Sequence, residues 1–133
     1  MKKFKNHINL TGKVILIAED NDGLRSLMSG IVSFGGARVI EACNGQKCLE
    51  IISGEQIDAA IIDIHMPNID GLTAASAIRT DDKSKSIPII LVSSDHEKLA
   101  KIESESSSVE GYIYKPFSSK DMLQKVVNIL SPD

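Results

Sequence analysis

The sequence predicts an α/β protein in which one parallel β-sheet is covered by helices on both faces. Three observations carry that expectation. Short apolar, β-branched runs alternate with segments of helical period along almost the whole chain, strand then helix, five times over. Strands separated by helix-length connections pair in parallel, because each crossover needs such a connection. Runs such as AIIDI and IPIILVS are nearly all apolar, as burial on both faces of a sheet requires. The 133 residues suffice for one domain with its own core and fall short of two.

The elements follow in chain order. KVILIA (13–18) is the first strand, and the acidic turn Glu19-Asp20-Asn21-Asp22 follows it at once. LRSLMSGIVSF (24–34) places Leu24, Leu27, Met28, Ile31 and Phe34 at helical spacing, with Gly35-Gly36 as a stop. ARVIEA (37–42) reads as the second strand, and GQKCLEIIS (45–53) as a helix with Cys48, Leu49 and Ile52 on one face. DAAIID (58–63) is the third strand, followed by a helix from Gly71 to Thr80 with a stripe of Leu72, Ala75 and Ile78. IPIILVS (87–93) is the fourth strand, and HEKLAKIESES (96–106) a more polar helix that loosens in the patch from Glu103 to Ser108. EGYIYK (110–115) is the fifth strand. SSKDMLQKVVNIL (118–130) closes the pattern: Ser118 and Asp121 make a capping-box-like start, and Met122, Val126, Ile129 and Leu130 supply the buried face. Residues 1–11 read as an N-terminal extension outside the core, leaving 12–133 as the domain.

Composition narrows the function. Hydrophobic residues at 42%, charged residues at 25% and no Trp describe a soluble globular protein. A net charge of −3 argues against a nucleic-acid surface, which needs clustered Lys and Arg, and MKKFK reads as a solvated tail. No apolar run reaches the ~18 residues of a membrane span, and MKKFKNHINL lacks the apolar core of a signal peptide. The expectation is therefore a cytoplasmic protein without membrane insertion. Cys43 and Cys48 read as buried reduced thiols, since their spacing is neither a zinc pattern nor C-x-x-C. His7 and His96 read as solvated, and Met66 as packing.

The carboxyl ends of parallel strands share one edge, where an open α/β sheet binds its ligands. Strand one ends there on Glu19-Asp20, strand three on Asp63, strand four on Ser93-Ser94 and strand five on Lys115. Three neighbouring carboxylates repel one another and so hold a proton or a cation. Oxygen donors without Cys favour a hard ion such as Mg2+, which commonly serves phosphate. Beside it Lys115 can pair with phosphoryl oxygens, Ser93 can donate a hydrogen bond, and a carboxylate can itself accept the group. Asp63 thus ends an apolar strand because a phosphoryl group arrives there.

These residues resemble the receiver domain of two-component response regulators, over residues 13–131. The resemblance rests on I-A-E-D-N after strand one, I-I-D-I-H-M-P-N-I-D-G around strand three, P-I-I-L-V-S-S on strand four and G-Y-I-Y-K-P-F on strand five. It implies a flavodoxin-like (βα)5 three-layer sandwich with strand order 2-1-3-4-5. It implies Asp63 as phosphoacceptor, Asp20 as a direct Mg2+ ligand, Glu19 as a second carboxylate or a ligand through water, and the main-chain carbonyl of His65 as a further ligand. Ser93 and Tyr112 take the switch positions, Lys115 contacts the phosphoryl group, and the Lys115-Pro116 bond is cis. The implied partners are a histidine kinase or histidine phosphotransfer protein and a downstream protein target. A homodimer through helix four, strand five and helix five also follows from the resemblance. Such a chain is a signalling receiver, stand-alone or a module of a hybrid histidine kinase, and catalyses only its own phosphorylation and dephosphorylation.

Three departures stand out: Ser108-Val109 where the family often has Gly-Ala, a hydroxyl at Ser94, and the bulky His65 two places after the acceptor. The side chain of His65 reads as lying over the site. Two other functions compete. A pseudo-receiver would bind partners without phosphorylation, against which the full set of Glu19, Asp20, Asp63, Ser93 and Lys115 counts. An aspartyl-phosphate hydrolase of the haloacid dehalogenase type expects an acid where His65 stands. A DNA-binding output is not expected, since the five β-α units leave no segment for a helix-turn-helix.

Overall fold

The computed structural model describes residues 8–105 and 108–130. Strands β1 (Val14–Ala18), β2 (Arg38–Ala42), β3 (Ala59–Asp63), β4 (Ile89–Ser93) and β5 (Gly111–Tyr114) form one parallel sheet in the order β2-β1-β3-β4-β5. Helices α1 (Asp22–Phe34), α2 (Gly45–Gly54), α3 (Gly71–Thr80) and α4 (His96–Glu105) make the four crossovers, and α5 (Ser119–Leu130) follows the last strand. The flavodoxin-like order expected from the resemblance is the observed one.

Side chains alternate across the sheet and build two cores. Ile15, Ile17, Ile61, Ile90, Val92 and Ile113 meet Met28, Ile31 and Val32 of α1 and Met122, Leu123, Val126 and Val127 of α5. On the other face Leu16, Ile62, Ile89 and Leu91 meet Cys48, Ala75, Ile78 and Leu99 of the remaining helices. β3 and β4 are buried at every position, which explains their unbroken apolar runs. Each fully buried Ile or Leu contributes about 1.5–3 kcal/mol of transfer free energy, so the two cores hold the layers together.

Every helix starts at the carboxyl edge of the sheet, and each start is capped by a side-chain oxygen. Asn21 accepts from the amide of Leu24, Asn44 from Lys47, Asp70 from Thr73, Asp95 from Lys98 and Ser118 from Asp121, at 2.8–3.1 Å. α1 ends where Gly36 adopts φ +104°, a conformation open to glycine.

Several expectations need correction. Leu10 is 1% exposed and sits in the core beside α1 and α5, with its amide donating to Gly35 O at 2.7 Å. The chain therefore joins the core before residue 12, because a leucine next to the open end of that core gains more from burial than from water; residues 1–7, including His7, lie outside the described residues. Leu27 and Phe34 are 56% and 85% exposed. The buried stripe of α1 runs through Met28, Ile31 and Val32, which leaves those two side chains off the sheet. Cys48 is buried but Cys43, one residue past β2, is exposed. No helix among the described residues is long and apolar enough to cross a membrane.

Candidate functional site

Ala18 pairs with Ile62, so one residue further Glu19 and Asp63 stand side by side at the ends of β1 and β3. The crossovers change direction between these two strands, which opens the crevice at the carboxyl edge. Both carboxyl groups are buried, Glu19 at 1% and Asp63 at 2% exposed. Two adjacent buried carboxylates need compensation. It comes from the ammonium of Lys115, which donates to Glu19 Oε1 at 3.1 Å and to Asp63 Oδ2. The main chain holds the other oxygens: the amide of Asn21 donates to Glu19 Oε2 at 3.1 Å and that of His65 to Asp63 Oδ1 at 2.7 Å.

Burial, reinforced by the neighbouring Asp63, pushes the Glu19 carboxyl up to about 7. Burial also works against the Lys115 ammonium, but the hydrogen bonds and charges of Asp63 and then Glu19 outweigh it, and its pKa rises. The two shifts share a cause, a carboxylate pair that one cation must neutralise.

Lys115 reaches this position from the end of β5. Its amide donates to Ser93 O at 2.9 Å, and the following bond to Pro116 is cis. Ser93 is fully buried beside the cleft, with Oγ accepting from the amide of Asp95 at 3.0 Å. Tyr112 lies half-buried on the face of β5 that packs with α2, α3 and α4. Asp20 is exposed at the mouth, and the side chain of His65 is exposed while its amide serves Asp63. The structure thus brings together Glu19, Asp63 and Lys115, sets Ser93 against them, and leaves Asp20 and the His65 ring outward.

Among the described residues no three acidic, His or Cys side chains are gathered closely enough to hold a metal by themselves. The donors nevertheless fit Mg2+, which takes one or two carboxylates and completes its octahedron with water, carbonyl or phosphate oxygen. Glu19 and Asp63 are adjacent oxygen donors at the cleft, and Asp20, exposed at its mouth, follows Glu19 in sequence.

The loop after β3 explains the residues that follow Asp63. Asn68 takes φ 69°, which Asn tolerates, and Asp70 caps α3. Gly71 passes so close to β3 that a Cβ there would lie 2.8 Å from the carbonyl carbon of Asp63 and from Cα of Ile64. Its amide donates to Ile64 O at 2.8 Å, which pins the main chain immediately after Asp63.

Two contributors escape a reading of motifs. The Arg25 guanidinium donates to Glu19 O at 2.8 Å, to Asp22 Oδ1 at 2.7 Å and to Glu41 Oε1 at 2.9 Å, tying the acidic loop to α1 and β2. An arginine one turn into the helix that follows an acidic loop is the available signal. His96 is exposed, as expected, but its ring also bonds to the Lys115 carbonyl, and nothing in the local sequence indicates that bond.

Fold and cleft together define a flavodoxin-like α/β domain with an acid–lysine site at its switch point. The chain belongs to the response regulator receiver domain family, whose model matches residues 15–127. It is 30% identical over 128 residues to the probable transcriptional regulator ycf27 of Cyanidium caldarium, covering 96% of this chain and 50% of the relative. It is 29% identical over 116 residues to the transcriptional regulatory protein SrrA of Staphylococcus aureus, covering 87% of this chain and 47% of the relative. The chain thus spans about half the length of the curated relatives it matches. The crystal structure of the response regulator TrrA from Thermotoga maritima, in complex with Mg2+ and BeF, superposes with a TM-score of 0.79 at 30% identity, covering 89% of this chain and 99% of that one. Receivers of this family are signalling modules of two-component systems.

Proposed function

We propose that this receiver takes a phosphoryl group from a phosphohistidine onto Asp63 and, so modified, changes its affinity for a protein partner. The observation that carries this reading is the carboxylate of Asp63, buried at the switch point and held by the His65 amide on one oxygen and by Lys115 on the other. An oxygen of Asp63 attacks phosphorus: the oxygen–phosphorus bond forms, the phosphorus–nitrogen bond breaks, and its electron pair returns to the donor imidazole. Such transfer depends on positioning and charge more than on covalent work by the protein. Lys115 supplies a cation for the arriving oxygens, Ser93 a hydroxyl donor, and the capped helix starts add positive potential at that edge. Mg2+, when held by Asp63, Asp20, Glu19 and the His65 carbonyl, supplies further neutralisation of the phosphoryl charge.

The switch follows from the same residues. Ser93 turns toward the phosphoryl oxygens, Tyr112 moves into the space released, and the face of α4, β5 and α5 changes shape. That face is where a downstream protein, or a second copy, binds the two states with different affinity. The donor is a histidine kinase or a histidine phosphotransfer protein. The complete acid–lysine set disfavours a phosphorylation-independent module, and His65, where an acid is required, disfavours a phosphohydrolase.

Intact mass after incubation with Mg2+ and acetyl phosphate tests the proposal. One phosphoryl increment is expected, absent from Asp63→Ala and from samples with EDTA. A folded protein that gains no increment from acetyl phosphate or from a phosphorylated histidine donor sinks it.

A further inference from the structure

α4 begins with a side chain that the local pattern leaves to solvent. Asp95 caps the helix, so His96 opens its first turn and faces the end of β5. The His96 ring stands edge-on to Tyr114, with centroids 5.2 Å apart and planes at 87°. Its Nε2 lies 2.6 Å from the carbonyl oxygen of Lys115. A carbonyl only accepts, so Nε2 carries the proton. Two turns further along α4, Glu103 accepts from the Tyr114 hydroxyl at 2.9 Å. α4 is therefore tied to β5 near both of its ends through His96, Tyr114 and Glu103.

The tie reaches the phosphoacceptor cleft by a short route. The residue whose carbonyl His96 holds is the one whose ammonium spans Glu19 and Asp63. The amide of that same residue donates to Ser93 O, and Ser93 Oγ accepts from Asp95, the neighbour of His96. Residues 93–96 are thus held by Ser93 at the cleft and by His96 at β5.

We propose that His96 is a positioning residue that latches α4 onto the Lys115 main chain in the phosphoryl-free protein, and that phosphoryl acceptance releases the latch. The proposal rests on Asp63 as the phosphoacceptor. Turning Ser93 Oγ toward a phosphoryl group weakens its bond to the Asp95 amide and shifts the segment that carries His96. A hydrogen bond this short weakens steeply with displacement and misalignment. A bond made only in the resting state slows acceptance by its net worth, about two- to tenfold in rate.

Two variants test this. His96→Ala deletes the donor, and His96→Gln offers a side-chain amide that can donate to the same carbonyl. Amide hydrogen exchange along α4 and the initial phosphorylation rate from acetyl phosphate at saturating Mg2+ are measured for both, with circular dichroism as a folding control. His96→Ala is expected to exchange faster over the first turns of α4 and to accept phosphoryl about two- to tenfold faster, with His96→Gln close to wild type in both. A rate in His96→Ala at or below the wild-type value overturns the coupling even where exchange rises. Behaviour of Gln identical to that of Ala overturns the hydrogen bond as its cause. Should the wild-type protein accept no phosphoryl group, the assignment of Asp63 and the coupling fail together. Exchange then judges the resting contact alone: faster in Ala than in Gln upholds it, and equal in all three proteins overturns it.

Discussion

Arg25 and the two cysteines show how much a single residue's surroundings decide. The guanidinium of Arg25 holds the Glu19 carbonyl, and its other two bonds go to Asp22 and Glu41 rather than to the carboxylates of Glu19 and Asp63. Arg25→Ala is expected to raise the Mg2+ concentration for half-maximal phosphorylation by about tenfold, the scale at which supporting contacts act on metal sites, with the plateau kept. Isothermal titration with Mg2+ reads the same shift without any turnover, and Arg25→Lys, which cannot serve three acceptors in a fork, recovers only part of it. Cys43 and Cys48 look alike in the sequence, yet burial pushes the Cys48 thiol up to about 12 while Cys43 is exposed. Iodoacetamide should therefore add one group to the native protein and two in denaturant, as intact mass will show. The linkage has a definite sign. Between about pH 9 and 12 the unfolded chain ionises Cys48 and the folded one does not, so this group makes stability fall as pH rises through that window.

At the scale of elements, the strands were legible as continuous apolar runs because burial on both faces leaves little room for polar residues. The helices were legible in place but less so in orientation. α1 shows why: Leu24, Leu27, Met28, Ile31 and Phe34 fit one period, and only contact with the sheet and α5 selects Met28, Ile31 and Val32 as the inner side. Ser29 is buried on that side, and its hydroxyl finds no hydrogen-bond partner among the described residues. Ser29→Ala removes an unsatisfied group and improves helix propensity, so urea unfolding should show a gain of about 0.5–1 kcal/mol. Gly71→Ala acts in the other direction. Its methyl group meets the Asp63 main chain, and a cost of about 1–3 kcal/mol is expected together with slower phosphorylation, because the acceptor itself must shift.

At the scale of the whole molecule, the site exists because five strand ends share one edge, and ligands that bind there stabilise the entire fold. Mg2+ with beryllofluoride, a stand-in for the phosphoryl group, should raise the thermal midpoint. At one hundred times its dissociation constant the gain is about 2.7 kcal/mol, or roughly 10 °C for a domain of this size, and Asp63→Ala should abolish it. An unchanged midpoint in the wild-type protein would count against the cleft as an anion and cation site. The sequence by itself determined the alternation of strands and helices, the acids and the lysine that end the strands, and the family to which they point, since these follow from local period and from residue type. Tertiary structure alone decided that Leu10 joins the core, that Leu27 and Phe34 leave it, that Arg25 braces the acidic loop and that His96 holds the Lys115 carbonyl. Those outcomes depend on which surfaces meet across distant parts of the chain, and neither period nor composition records that meeting.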